Sequence, residues 1–78
     1  GAVMGQGVHV VELPGVGKRY DVDLGSAEDR VSVVVRSGGT RDLYVFTKGS
    51  ADPTAVLELS EEQARKLAAV LSATFYEG

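Results

Sequence analysis

The feature that most constrains the fold is that only one segment, at the C-terminal end, has the periodicity of an amphipathic helix. Its apolar residues recur three or four positions apart and form one stripe: Ala64, Leu67, Ala68, Leu71 and Phe75. Ser60 and Gln63 stand where a capping box requires a hydroxyl and an amide, so the helix should begin after Ser60. The 78 residues suffice for one small domain, so this helix is the only one available to cover a sheet.

The sequence before the helix alternates between apolar and polar residues or is broken by Gly and Pro, which is typical of strands and turns. We predict strands at residues 8–13, 18–24, 30–36 and 42–48, with a short fifth strand at residues 56–59. The predicted fold class is α+β: a small antiparallel β-meander of four to five strands, open or curled toward a barrel, followed by one C-terminal α-helix. The domain should span residues 8–76, between an expression remnant and flexible N-terminus at residues 1–7 and a tail at residues 77–78.

The third and fourth predicted strands carry apolar side chains on both faces, whereas one helix covers only one face of a sheet. Val34, Tyr44 and Phe46 alternate with the other apolar residues of their strands and so fall on the remaining face. Leaving them in water exposes a patch that soluble monomers usually avoid. Either the sheet curls and buries both sets in part, or a second chain covers this face. We favour a homo-oligomer in which Val34, Tyr44 and Phe46 form the self-association face.

Composition and charge exclude several classes of function. Eight basic and eleven acidic residues give a net charge of −3, which argues against nucleic acid or anionic lipid as a partner. The absence of cysteine excludes disulfides, thiolate nucleophiles and Cys-based zinc sites. The apolar runs are too short to span a bilayer, so we predict a cytoplasmic protein without direct membrane insertion.

The residues that could carry chemistry do not form a recognisable site. Gly17 and Lys18 suggest a phosphate-binding loop, but Glu12 and Arg19 occupy positions where that motif needs glycine and a hydroxyl. His9 is the sole histidine, so the serines have one possible base between them and a metal site lacks a second imidazole. We therefore predict no catalytic, cofactor-binding or metal-binding residues, and no enzyme.

An alternative from another class is a small barrel that binds a ligand or single-stranded nucleic acid. Tyr44 and Phe46 lie two residues apart on one face of a predicted strand, as stacking aromatics do in such barrels. The basic residues occur in separate pairs along the chain rather than in a stripe beside these aromatics. This alternative is therefore the weaker interpretation.

The order of several segments resembles one known family. Val11 to Tyr20 reads Val-Glu-Leu-Pro-Gly-Val-Gly-Lys-Arg-Tyr, an extended strand, a tight turn and a basic-aromatic start to the next strand. A Val-rich strand, Gly-Thr-Arg-Asp-Leu-Tyr-Val-Phe at residues 39–46, Asp-Pro at 52–53 and Leu-Glu-Leu-Ser at 57–60 follow. In this order they resemble the N-terminal domain of bacterial potassium/proton antiporter regulatory subunits. The resemblance covers residues 8–76.

The resemblance implies a non-catalytic regulatory and assembly domain, peripheral to the inner membrane through its partner, a membrane cation/proton antiporter. In that family a TrkA-C-type (RCK-C) domain follows and is associated with small ligands such as cyclic di-AMP, so no ligand residue is carried over to this chain. We expect the chain to be an excised N-terminal domain or a natural short protein. The candidate partner contacts are Pro14, Gly15, Val16, Gly17, Lys18, Arg19 and Tyr20.

Overall fold

The computed structural model describes residues 2–3, 7–25 and 28–73, which form one antiparallel sheet and one helix. The elements are β1 Ala2–Val3, β2 Val8–Leu13, β3 Gly17–Asp23, β4 Arg30–Arg36, β5 Arg41–Phe46, β6 Ala55–Leu59 and α1 Glu61–Ser72. The predicted α+β class, with a meander followed by one C-terminal helix, is confirmed. The observed bounds of the five predicted strands lie within two residues of the expected ones.

Each strand pairs with its neighbour in the chain, so the sheet order is β1-β2-β3-β4-β5-β6. The first and last strands lie at opposite edges, and in the described part of the chain the sheet is open rather than closed into a barrel. The two-residue strand β1 was not predicted. It falls in the segment expected to be an expression remnant, and it pairs with His9 and Val10 of β2.

The register of the strands divides their side chains between two faces. The groove face carries His9, Val11, Arg19, Asp21, Ser32, Val34, Asp42, Tyr44, Phe46 and Val56. The aliphatic face carries Val8, Val10, Tyr20, Val22, Val31, Val33, Leu43, Val45 and Leu57. Apolar side chains therefore occupy both faces of the sheet, as the sequence predicted for β4 and β5.

The helix begins with the predicted capping box. The Gln63 backbone N–H donates to Ser60 Oγ at 3.1 Å, and the Ser60 N–H donates to Gln63 Oε1 at 2.9 Å. Glu61 and Glu62 in the first turn favour the positive end of the helix dipole. The helix ends at Ser72, with Ala73 in a left-handed conformation, and Phe75 of the predicted stripe lies outside the described residues.

The expectation that α1 covers one face of the sheet is wrong for the described part of the helix. The described part of the helix contains no buried residue, and Leu71 of its stripe is 78% exposed. Ser60 alone separates β6 from α1 and is extended, with φ −70° and ψ 167°. The helix thus follows the strand with no loop between them, and in the described residues it does not cover the aliphatic face.

The two most buried side chains of the described residues lie on the groove face. Val34 and Asp42 are 8% and 4% exposed and stand directly opposite each other on β4 and β5. Arg36 Nε and Nη2 lie 2.8 and 2.7 Å from Asp42 Oδ2. A buried carboxylate is costly unless it is paired, and this hydrogen bond, with the charge of Asp42, raises the pKa of Arg36 above its ordinary value.

We expect Arg36→Ala to lower the free energy of unfolding, because the buried Asp42 carboxylate then loses its partner. Replacing both partners, in Arg36→Met/Asp42→Leu, should cost less than Arg36→Ala alone, since no buried charge remains. Urea denaturation of the two variants measures this difference. A double variant less stable than the single one would show that the pair itself, rather than the burial of Asp42, governs stability.

Candidate functional site

An open groove of about 770 Å³ lies on the groove face. Its floor includes Val34, and its walls include polar and aromatic side chains from four strands: His9, Arg19, Asp21, Arg30, Ser32, Tyr44 and Phe46. His9, Asp21, Ser32 and Tyr44 stand directly opposite one another along β2 to β5. The groove therefore contains one row of polar groups across the sheet.

Asp21 is the centre of the polar contacts in the groove. Arg19 donates from Nε to Oδ1 at 3.0 Å and from Nη2 to Oδ2 at 3.1 Å, and Ser32 Oγ donates to Oδ1 at 2.8 Å. Partial burial by itself raises the pKa of Asp21. The hydrogen bonds from Ser32 and Arg19, with the charges of Arg19 and His9, outweigh burial and hold the pKa below its ordinary value.

One end of the groove is fixed by an arginine stacked on an aromatic ring. The Arg30 guanidinium carbon lies 4.2 Å from the centroid of the Phe46 ring, within range of a cation–π interaction. Arg30 Nη2 also donates to the backbone oxygen of Ser50 at 3.2 Å. Arg30 therefore links the aromatic ring of β5 to the loop that follows this strand.

The structure brings together the three residues predicted to form the self-association face. Val34, Tyr44 and Phe46 all line the groove, where Val34 is buried and the two aromatic residues are half-buried. Contact between copies through this face stays a prediction. Tyr44 and Phe46 are the two residues of this face that a partner could contact. Val34 forms the floor of the groove, and only 8% of it is exposed.

The predicted partner contacts at residues 14–20 do not form one continuous surface. Pro14, Gly15 and Val16 are exposed at the tip of the turn between β2 and β3. Beyond the turn the side chains alternate between faces, so Lys18 and Tyr20 belong to the aliphatic face and Arg19 to the groove. Their role in binding a partner stays a prediction, and Arg19 would act from the groove rather than from the turn.

Two backbone hydrogen bonds and one glycine hold the turn in place. The Val16 N–H donates to the Leu13 oxygen, and the Ser37 N–H donates to the Val16 oxygen, each at 2.9 Å. Gly17 has φ +152°, and a Cβ at this position would lie 1.9 Å from the backbone oxygen of Val35. Glycine is therefore required here by both conformation and space.

Two contacts on the groove face could not be located from sequence alone. The partner of Asp42 is Arg36, which lies across the Ser37–Thr40 hairpin turn, and opposite charges on either side of that turn were an available signal. Ser32 meets Asp21 only through the pairing of β3 with β4. Sequence alternation placed Arg19 and Asp21 on one polar side of β3, but it did not show that Val34 and Tyr44 share that side.

Among the described residues, no three His, Asp or Glu side chains are grouped so that they could hold a metal ion. His9 is exposed, and the possible metal ligand directly opposite it on β3 is Asp21. The helix that the structure describes, α1, is neither long enough nor apolar enough to cross a membrane.

Residues 6–75 match the family model described as the N-terminal domain of the K(+)/H(+) antiporter subunit KhtT. The chain belongs to this family. It is also 30% identical over 69 residues to the K(+)/H(+) antiporter subunit KhtT of Bacillus subtilis (strain 168). That match covers 85% of this chain and 40% of the relative, so the chain spans less than half of the relative's length. The predicted resemblance to antiporter regulatory subunits is confirmed at the level of the family.

We expect Gly17→Ala to reduce the free energy of unfolding by about 2–4 kcal/mol, because the new Cβ collides with backbone and the φ angle is unfavourable for alanine. Gly38→Ala is the matched control, since a Cβ at Gly38 meets nothing within 4 Å, and it should change stability by less than about 0.5 kcal/mol. Chemical denaturation of both variants checks the difference. Equal stabilities would refute the close approach of Gly17 to Val35.

We expect Asp21→Asn to remove a pH-dependent part of the stability. Because the pKa of Asp21 is lowered in the folded state, its stabilising contribution is present above its ordinary value of 3.8 and is lost as pH falls through the lower folded value. The difference from the unsubstituted chain should be at most about 1 kcal/mol at pH 7, as for a solvent-accessible ion pair, and should shrink below pH 3.8.

Urea denaturation at several pH values between 7 and about 3 measures this difference. Asp52→Asn, in an exposed loop, is the control and should show a smaller change with pH. A stability difference for Asp21→Asn that stays constant down to the lowest pH would contradict the role of the Arg19 and Ser32 contacts.

Proposed function

We propose that this chain is a non-catalytic regulatory and assembly domain of a cytoplasmic subunit that controls a potassium or other cation/proton antiporter. The observation that carries the proposal is the family match over residues 6–75, together with a relative named as a K(+)/H(+) antiporter subunit. The domain acts by self-association, by docking on the membrane subunit, or both. Its place at the inner membrane is peripheral and depends on that partner.

The proposed mode of action is binding without chemistry. Arg19 and Arg30 occupy the groove, but Arg19 is hydrogen-bonded to Asp21 and Arg30 is stacked on Phe46. Paired charges beside half-buried aromatic rings are suited to a protein contact, in which aromatic anchors are surrounded by satisfied polar groups. Tyr44 and Phe46 are thus the proposed anchors of the groove.

The turn at residues 14–17 is the second proposed contact. Its exposed tip is held by hydrogen bonds to Leu13 and Ser37 and by the enclosed Gly17, so it projects from the sheet in one defined conformation. A fixed, exposed turn costs little conformational entropy when it binds a partner. Docking of Pro14, Gly15 and Val16 on the membrane subunit therefore accompanies the groove contact in the proposal.

The alternative function, a ligand- or single-stranded nucleic-acid-binding module, has weaker support. Its aromatic residues Tyr44 and Phe46 do share the groove with Arg19 and Arg30. Asp21 and Asp23 line the same groove, and the net charge of the chain is −3, so the positive field that a phosphate backbone requires is absent there. Binding of single-stranded oligonucleotides that weakens steeply with salt would favour this alternative.

The regulatory role is tested by potassium/proton exchange in everted membrane vesicles that contain the cognate antiporter. Exchange is measured with and without the complete subunit that carries this domain, and with a subunit in which Val16→Asp alters the exposed turn. We expect the subunit to change the exchange rate and the variant to have a weaker effect. An exchange rate that is the same with and without the subunit would contradict the proposed function.

The anchors of the groove are tested by sedimentation of the chain and by its binding to the solubilised antiporter. Tyr44→Ser and Phe46→Ser should each weaken self-association or antiporter binding by about tenfold, because an aromatic anchor contributes roughly 1–2 kcal/mol or more. Val45→Ser is the control, because Val45 lies between the two aromatic residues on β5 but belongs to the aliphatic face. Circular dichroism establishes that each variant is folded. Unchanged self-association and unchanged antiporter binding would exclude the groove as a contact surface.

A further inference from the structure

The strand β6 forms an edge of the sheet that no described element covers. It pairs with β5 on one side and is the last strand in the sheet order. Four of its five residues, Ala55 to Glu58, are exposed. The helix that follows contains no buried residue in its described part. The outer backbone N–H and C=O groups of β6 are therefore available to another extended strand.

This edge has only one of the features that usually prevent strands from pairing between molecules, the charge of the exposed Glu58. Proteins protect exposed edges with charged side chains (lysine above all), proline, a bulge or a very short strand. The opposite edge follows this rule, because β1 has only two residues. In contrast, β6 has the sequence Ala-Val-Leu-Glu-Leu, with no proline or lysine. A five-residue strand of this composition is a template for β-augmentation.

Exposed apolar side chains are concentrated beside the same edge. Val56 on the groove face is 52% exposed, and Leu57 on the aliphatic face is 51% exposed. The described residues include seven large apolar side chains that are exposed, and five of them belong to β6 and α1: Val56, Leu57, Leu67, Val70 and Leu71. A strand added to β6 would therefore gain apolar contacts on both faces in addition to backbone hydrogen bonds.

A second copy of the chain can pair with this edge through its own β6, so no other surface of either copy has to take part. Antiparallel pairing of β6 with its own copy requires only a two-fold axis, because both copies then use the same residues. With the axis at Leu57, Leu57 faces Leu57 of the other copy and Val56 faces Glu58. All five residues are paired in this register. With the axis at Glu58, the two carboxylates would lie opposite each other, which is unfavourable.

We propose that two copies of this chain pair through β6, antiparallel, with Leu57 at the two-fold axis. The inference rests on the proposed self-association and assigns it a surface that is separate from the groove. The two sheets become continuous, and Leu59 at the end of each β6 lies opposite Ala55 of the other copy. Both faces of each sheet remain open, so the groove stays available to the membrane subunit.

Disulfide cross-linking tests the register directly, because the chain contains no cysteine. Directly opposed residues in antiparallel strands have Cα atoms about 4.5–5.5 Å apart, a separation that a disulfide spans. Under mild oxidation, Leu57→Cys should form a covalent dimer in high yield. Val56→Cys alone should form much less, whereas a mixture of Val56→Cys and Glu58→Cys chains should form the mixed dimer.

A charge at the axis tests the pairing in solution. Leu57→Lys places two ammonium groups opposite each other and should raise the dimer dissociation constant by about tenfold or more in analytical ultracentrifugation. The control is Leu24→Lys, because Leu24 is similarly exposed at 57% but lies outside β6. This control should leave the dissociation constant within about threefold of the unsubstituted value. Circular dichroism establishes that both variants are folded.

The outcomes separate the inference from the function on which it rests. A chain that remains monomeric at high concentration overturns the β6 pairing and the proposed self-association together. A dimer that persists in Leu57→Lys, without cross-linking of Leu57→Cys, overturns the β6 pairing only. Cross-linking as expected, with a subunit that has no effect on potassium/proton exchange, supports the pairing and overturns the proposed regulatory function.

Discussion

The last strand and the helix of this domain are joined by one extended residue, and the described part of the helix does not return over the sheet. This residue, Ser60, also caps the helix. In most α+β domains a helix of this kind buries one face of the sheet, and the apolar stripe and the apolar face stabilise each other. Here the stripe stays exposed in the described residues, with Leu67 and Leu71 both among the exposed large apolar side chains. The aliphatic face is half-buried by its own neighbouring side chains, except at Leu57, which is exposed.

The groove face shows how a small sheet can hold polar groups without a second layer. Asp42 is buried and paired with Arg36, while Asp21 is held by Arg19 and Ser32. Each carboxylate is bonded to a basic residue of its own or an adjacent strand, so little uncompensated charge remains at these positions. Because such paired groups are already ordered, a partner that contacts the aromatic rings beside them loses less entropy on binding.

Local chemistry made the elements of this fold predictable. The alternation of β2 to β5 and the capping box of Ser60 with Gln63 depend on neighbouring residues, and both appear in the structure. The direction of α1 was not predictable from its apolar stripe. A stripe indicates that a helix face favours burial, whereas the length and conformation of the preceding link determine whether the helix reaches the sheet.

The composition of the groove was predictable only in part, for a similar reason. Tyr44 and Phe46 were placed on one face from their spacing, but Val34 meets Asp42, and Asp21 meets Ser32, through the registers of separate strand pairs. Register depends on turn geometry and on the sum of cross-strand contacts rather than on one segment. The burial of Asp42 and its pairing with Arg36 become evident only when its neighbours across the sheet are known.

The strictly sequential order of the strands has a kinetic consequence. Every strand pair is a hairpin, and the longest connection within the sheet is residues 47–54. Closing short loops costs little chain entropy, so each hairpin can form before the next and provide an edge on which the next strand adds. Topologies dominated by such local pairings fold faster than sandwiches and barrels of similar size. The last strand to be synthesised, β6, is then also the one that completes the sheet.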